Sequence, residues 1–424
     1  MSRYPYSRLA RSPFFAIAAA AVTFLTAISV ANAQDAVRPS LAGESAAEAR
    51  HQDIDHIPYN LMTGPIKYRV SATVGVEYND NINLSQNNEL SDFIFRPQVN
   101  IDALWPITQL NTLRFDIGLG YAFYADHSNQ NTNTILLAPN SQIGFDIFVG
   151  DFRINIHDRF SAQQDPIDQL AVSNVVDYGR FENYAGVSVL WDLNKAVVSL
   201  SYDHYNYVST TSMFDYLDRN AEELTASVSF AVTSTTGVGL EGTFVHNTYD
   251  QHVLNDSDTL SGGVFVETQL TNYLKVRVAG GYQSISFSGG GLVNDGSDVG
   301  DFYANMLLSH RLNAAITQTL SAGHENQLGV NSNSIALNYV RHTVNWNIVR
   351  NTLLSTEVFF EDADDSGGFI HEHLHRYGGA LSLGYQLTPH VTLGLRYQYT
   401  QKDSDVALRD YTQNRVSVDA TYSF

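Results

Sequence analysis

The 424-residue chain has no cysteine, so disulfides are excluded and stability must come from the fold itself. Positive charge is scarce too: 24 Lys and Arg stand against 44 Asp and Glu, a net charge of −20. That balance argues against nucleic acid as a partner, because neutralising phosphates needs clustered cations. Long apolar runs are missing beyond the N-terminal region. No later segment reaches the roughly 18 uninterrupted apolar residues of a membrane-spanning helix, which excludes a helical membrane protein.

The early apolar run, Phe14 to Ile28, follows Arg3, Arg8 and Arg11 and precedes Ala31-Asn32-Ala33. This is the pattern of a secretory signal peptide with an A-x-A cleavage site, so the mature chain is expected to begin at Gln34. The leader carries three arginines and no acid, leaving 21 cations against 44 acids in the mature chain, a net −23.

What the sequence does hold is 24 Tyr, 22 Phe and 29 Gly, alongside many Asn, Ser and Thr. That composition belongs to a large β-protein. From Lys67 onward, apolar and polar residues alternate in segments of about 10 to 15 residues, the period of a two-faced strand. In LRFDIGLGYAFY, Leu113, Phe115, Ile117, Leu119, Tyr121 and Phe123 take one parity, and Arg114, Asp116, Gly118, Gly120 and Ala122 the other. A soluble sandwich seldom sustains this through strand after strand; a membrane barrel must, with about 9–11 tilted residues crossing the apolar layer. The connections alternate strictly between tight turns and longer polar loops. Eight of the former and nine of the latter predict a transmembrane antiparallel up-and-down β-barrel of about 18 strands, over residues 67–424, in the outer membrane of a Gram-negative bacterium. An even count puts both termini on the periplasmic side. Residues 34–66 show neither period and read as a periplasmic segment. In the last strand, Val416, Val418, Ala420, Tyr422 and Phe424 form an apolar ladder ending on an aromatic terminus, which looks like the signal read by the barrel-assembly machinery.

IKYRVSATVGVEYNDNINLS, followed by FRPQVNIDALWPITQLNTLRFDIGLGYAFY, resembles the opening of the outer-membrane β-barrel porin family called β-barrel porin 2, in which the first strand ends in a turn such as Tyr78-Asn79-Asp80-Asn81. The resemblance covers roughly 67–424. It implies a channel, with some members associated with exopolysaccharide export, and it supplies no catalytic residues.

Chemistry-bearing motifs are few. His371-Glu372-His373-Leu374-His375 matches the HExxH pattern of zinc proteases. A protease needs the two outer histidines at i and i+4 on a helix. Here the motif runs from a loop into a strand, where i and i+4 stand ~13 Å apart, and Glu372 turns to the opposite face. A milder possibility pairs His373 with His375, or His371 with His373, at i and i+2, provided other loop residues join them. The plainer reading places these histidines among headgroup-level polar residues above Tyr377, and no metal, cofactor or enzymatic activity is expected. Loop aspartates, including Asp80, Asp256, Asp258, Asp295, Asp298, Asp362, Asp364 and Asp365, lack an EF-hand pattern and read as a solvated surface.

Function is sought in the lumen. Extending the alternation turns Arg69, Glu77, Arg114, Asp116, Arg153, Asp203, Glu241, Lys275, Arg277, Glu357, Arg376, Arg396, Arg415 and Asp419 inward. They either filter solutes or pair across neighbouring strands to fill a polar interior. Several of the cations lie near the tight turns and most acids in the long loops, so the two ends of the lumen are expected to differ in potential. The longest loop, 162–177, carries Asp165, Ile167, Asp168 and Leu170 with Val172, Val175 and Val176. Such apolar side chains need packing of their own, and the loop is expected to fold inward and narrow the pore. The resulting expectation is passive diffusion of small hydrophilic solutes through a wet lumen bounded by outer-membrane lipid and lipopolysaccharide. A polysaccharide exit, with Tyr124 and Phe359 offering aromatic faces, and a plugged structural or adhesive barrel are the alternatives. Monomer or trimer is left open.

Overall fold

The computed structural model describes residues 59–424 except 133, 168, 293–295, 350 and 369–370. The expected signal peptide and most of the expected periplasmic segment therefore lie outside the described residues. Among the described residues, 21 strands form one antiparallel sheet. Three of them are two or three residues long, leaving 18 staves. These are Ile66–Asn79 (β1), Asp92–Pro106 (β2), Thr112–Gly120 (β3), Gln142–Val149 (β4), Phe152–Gln163 (β5) and Arg180–Asp192 (β6). Ala196–Ser209 (β7), Arg219–Ala231 (β8), Thr236–Tyr249 (β9), Ser257–Thr271 (β10), Leu274–Phe287 (β11) and Val299–Arg311 (β12) follow. Ile316–Leu328 (β13), Ser332–Val349 (β14), Thr352–Gly368 (β15), His373–Thr388 (β16), Val391–Ser404 (β17) and Tyr411–Ser423 (β18) complete the wall. Ser71 pairs with Ser423 and Asn79 with Arg415, so β18 closes onto β1 and neither edge is left open.

The alternation in the sequence becomes the inside and outside of this wall. On β1, Val74, Val76 and Tyr78 are exposed on the outer surface, whereas Ser71, Glu77 and Asn79 are buried inside. Outward aromatics form two belts: Trp105, Trp191, Trp346, Tyr385 and Tyr422 near the tight turns, and Phe93, Phe244, Tyr282 and Phe302 toward the other end. This is the girdle arrangement of a membrane barrel.

Two local expectations are corrected. The segment 113–124 is not one strand: β3 stops at Gly120, and a two-residue strand, Phe123–Tyr124, resumes the pairing with β2. Pro97 faces the break; it accepts from Tyr121 N–H but has no N–H to return. The loop expected to lead into the HExxH match is also mostly wall, because β15 continues to Gly368 and β16 begins at His373. At 18 and 17 residues, β14 and β15 exceed the roughly 9–11 needed to cross the apolar layer. Above the lipid both faces meet water, so Asp362, Asp364 and Asp365 sit in regular strand with no apolar parity to betray it.

Gly263 and Gly281 show how the inner face is shaped. A Cβ on Gly263 would lie 2.1 Å from the Tyr303 hydroxyl, and one on Gly281 would lie 2.7 Å from the Tyr303 ring. Their bare backbones let that ring lie along the wall and its hydroxyl donate to Glu241 at 3.0 Å.

Candidate pore constriction

The connection between β5 and β6, residues 164–179, runs into the barrel and contacts the wall opposite its root. Its root is fixed by Arg180, which is buried. The guanidinium donates to Glu182 at 2.8 Å, to the Asp165 and Tyr178 carbonyls and to the Gln163 side chain. Across the lumen, Arg376 on β16 donates to the Ile167 carbonyl at 2.5 Å. Further along, the Ala171 carbonyl accepts from Asn331 and Arg409, and Ser173 accepts from Lys402 while donating to the Arg409 carbonyl. Asn174, at φ 61°, donates from its backbone to Leu84 and from its side chain to Leu408. Asn is among the residues that tolerate this left-handed conformation.

The apolar residues of the loop account for its course. Ala171 and Val172 belong to a buried cluster with Tyr205, Tyr207, Val245, Ile335, Leu337 and Leu374 from the inner wall, with Leu170 and Val175 packed against it. Ile167 packs with Leu84 and Tyr411, and Val176 packs against the cluster of Ile82, Ile94, Ala122 and Tyr124. The outer half of the barrel thus has a hydrophobic core of its own. Of the loop residues singled out in sequence, Asp165, Ile167 and Leu170 are placed here; Asp168 lies outside the described residues.

Beside the loop is a cavity of about 350 Å³ lined by Arg96, Arg341, Arg376, Arg396 and Arg415 together with Asp165, Glu357 and Phe359. Asp165 lies 2.7 Å from Arg415 and 3.9 Å from Arg96. Both arginines also face Glu77, at 2.9 and 3.4 Å. Arg376 grips Glu361 at 2.7 Å, and Arg341 reaches Glu357 at 3.3 Å and Glu361 at 3.5 Å. Arg396 donates to Gln398 at 3.3 Å. Burial by itself would raise the Asp165 carboxyl, but Arg415 and Arg96 outweigh it and hold the group below its ordinary value.

The other inward residues are placed as follows. Asp203 meets His157 at 2.7 Å, Glu241 meets Arg277 at 2.7 Å, and Lys275 meets Glu267 at 2.9 Å. Asp116 accepts from Gln142, Arg153 stacks over Phe148, and Arg69 faces Asp102. Arg114 is buried, and among the described residues its Nε and Nη2 have no hydrogen-bond partner. Asp419 sits opposite Gly75 and Gly394. Near the tight turns a second cavity of about 830 Å³ includes Lys275 and Glu267.

Parity alone would have added Arg96 and Arg341, which alternate with Phe95 and Val340 on the outer face. At the loop end the acids do not stand alone. Arg376, Lys402 and Arg409 stand at the loop end beside Glu361 and Glu372, because the acids buried there need compensating charge. Some loop aspartates turn out to serve turns: Asp80 accepts from Asn414, Asp256 from Tyr249 N–H and Asp298 from Phe287 N–H.

Inward aromatics are more numerous than Tyr124 and Phe359. Tyr178, Tyr205, Tyr207 and Tyr249 are all buried, and Arg219 lies over the last three rings. Tyr124 is enclosed in its apolar cluster, and Phe359 is covered by Arg341 and Arg376.

The family model described as "Putative beta-barrel porin 2" matches residues 64–424. No curated protein matches the chain. Among solved structures, the outer membrane protein opdK of Pseudomonas aeruginosa is similar at 10% identity and a TM-score of 0.48, over 84% of this chain and 99% of that one. A BenF-like porin of Pseudomonas fluorescens Pf-5 is similar at 10% identity and a TM-score of 0.49, over 84% and 99%.

Proposed function

This chain belongs to the β-barrel porin 2 family, and from that premise we propose how its outer-membrane channel selects the small hydrophilic solutes that diffuse through it. Selection is by size first and charge second, at the chamber between the inward loop and the arginines of β2, β14, β16, β17 and β18. The observation that carries the reading is the course of residues 164–179, which hydrogen-bond to Arg376 and Lys402 on the facing wall and to Arg409 in the connection between β17 and β18. The loop reduces the free section, and guanidinium and carboxylate groups line what is left, so a solute of the right size exchanges its hydration for contacts with fixed charges.

No chemical step is required of any residue. Glu372, the acid of the HExxH match, is fully buried against Lys402 and Arg409 at 2.9 and 2.8 Å, so it has no reach to a metal-bound water. The polysaccharide-exit reading has less support, since Tyr205, Tyr207 and Tyr249 are buried with Arg219 lying over their rings. Residues 1–33 are assigned as a cleaved leader, 34–66 as a periplasmic segment and Tyr422 with Phe424 as the assembly signal. The test is planar-bilayer conductance of the refolded mature chain: discrete, salt-dependent steps support a channel, and a sealed barrel leaves only the plugged structural reading.

A further inference from the structure

We propose that the outer surface of the barrel, just beyond the aromatic belt, carries a binding site for one late divalent transition-metal ion such as Zn²⁺, formed by Asp362, His373 and His375. The antiparallel register sets Asp362 opposite His375 and Asp364 opposite His373 on adjacent strands β15 and β16. Asp362 Oδ1 lies 3.1 Å from His375 Nδ1 and 3.7 Å from His373 Nε2. The three ligand atoms all fall within 4.8 Å of one another. Two ligands at tetrahedral angles about a zinc ion, with bonds of about 2.0–2.1 Å, stand ~3.3 Å apart, a value the two observed distances bracket.

Three further features are those of a metal site rather than a chance meeting of polar groups. Asp362 Oδ1 and His375 Nδ1 are both shielded from solvent, and among the described residues neither makes a contact of hydrogen-bond geometry, so their 3.1 Å approach to each other is all that holds them. The other Asp362 oxygen accepts from Asn338, at 3.4 Å, which helps aim Oδ1 at the histidines. His373 Nδ1 lies 2.6 Å from Asp364 Oδ1. A carboxylate behind the second ring nitrogen fixes the tautomer whose Nε2 lone pair points to the metal, as ligating histidines commonly require. Two imidazoles with one carboxylate favour zinc, copper or nickel over calcium or magnesium, which take oxygen ligands.

With three protein ligands, the remaining coordination positions face outward. Below the site, Phe360 stacks on His375 with ring centroids 6.1 Å apart, so the ion sits at the headgroup level and ties two neighbouring strands together. The site uses the last two histidines of the HExxH match and leaves out Glu372, which makes it a binding site without a general base.

The experiment is calorimetric titration of the refolded full mature chain in detergent with ZnCl₂, with CaCl₂ and MgCl₂ as separate titrants. The expected result is one Zn²⁺ per barrel, a fall in affinity of at least tenfold in His375→Ala and in Asp362→Asn, and about tenfold in Asp364→Asn. Calcium and magnesium give no comparable binding. Zinc binding that is equal in wild type and His375→Ala, or that is lost instead on replacing the exposed His204 and His246, means adventitious binding only and overturns the proposal, as does no binding at all. Heat-modifiable migration on gels confirms that each variant is folded, and absorption of the Co²⁺-loaded chain, lost in His375→Ala, reports imidazole ligation independently.

Discussion

Asp165→Asn separates the electrostatics of the constriction from its shape. The substitution keeps the volume and a hydrogen-bonding oxygen but removes one negative charge, 2.7 Å from Arg415 and 3.9 Å from Arg96. Five guanidinium groups line the cavity, and Asp165, Glu357, Glu77 and Glu361 lie within ion-pair reach of them; the variant removes one of these negative charges. For a permeant ion about 6 Å away in water-like surroundings, one unit charge is worth ~0.7 kcal/mol. The effect has opposite sign for anions and cations, so their ratio moves by ~1.4 kcal/mol, about tenfold, before screening. At 0.1 M salt, with a Debye length of about 10 Å, roughly threefold survives. The assay is the reversal potential of single channels under a KCl gradient. The chloride-to-potassium permeability ratio should rise about three- to tenfold, more at low salt. Glu267→Gln, at the half-exposed pair with Lys275 near the tight turns, should change it far less. An Asp165→Asn channel with wild-type selectivity at low salt would refute the placing of the filter at this chamber.

Arg376→Met should cost about 2–3 kcal/mol, because buried Glu361 loses its 2.7 Å guanidinium contact and keeps Arg341 at 3.5 Å; denaturant titration followed by gel mobility reads this, and a loss under 1 kcal/mol would contradict it. The same variant removes the donor to the Ile167 carbonyl, so protease cleavage within 164–179 should speed up. The pH response of the loop follows from Asp165, whose pKa is depressed on folding. Its stabilisation is fully present above the ordinary value of about 3.9 and is lost only as pH falls through the lower folded value. Conductance substates that depend on Asp165 should therefore appear only near or below pH 4 and be absent from Asp165→Asn; Asp165-dependent substates already present at pH 6 would contradict this assignment. Gly263→Ala should displace the Tyr303 ring, break its bond to Glu241 and lower stability by about 1–3 kcal/mol.

The barrel was legible in the sequence because one physical demand, lipid outside and water inside, acts on every residue of every crossing strand. Val74, Val76 and Tyr78 against Glu77 and Asn79 state it in a single strand. The signal fades where the demand does: above the lipid, Asp362 to Gly368 extend β15 with no apolar parity, and beside Pro97 the ladder breaks for want of one N–H. Arg96 and Arg341 could have been found by parity alone. The contacts that set the constriction could not, since Asp165 with Arg415, or Ile167 with Arg376, join residues more than 200 positions apart, and alternation carries no information about which walls face each other. The apolar content of 164–177 did indicate that the loop needed packing, which it finds among Tyr205, Tyr207 and Leu337. The Asp362, His373 and His375 cluster depends on cross-strand register, where a shift of one residue would turn the histidines to the other face.

The most direct test of the central claim is single-channel conductance of the mature chain compared with a variant in which residues 166–176 are replaced by a short Gly-Ser link. An inward loop that narrows a water-filled lumen predicts discrete openings in the wild type and a markedly larger conductance in the variant. Equal conductance in the two would contradict the account.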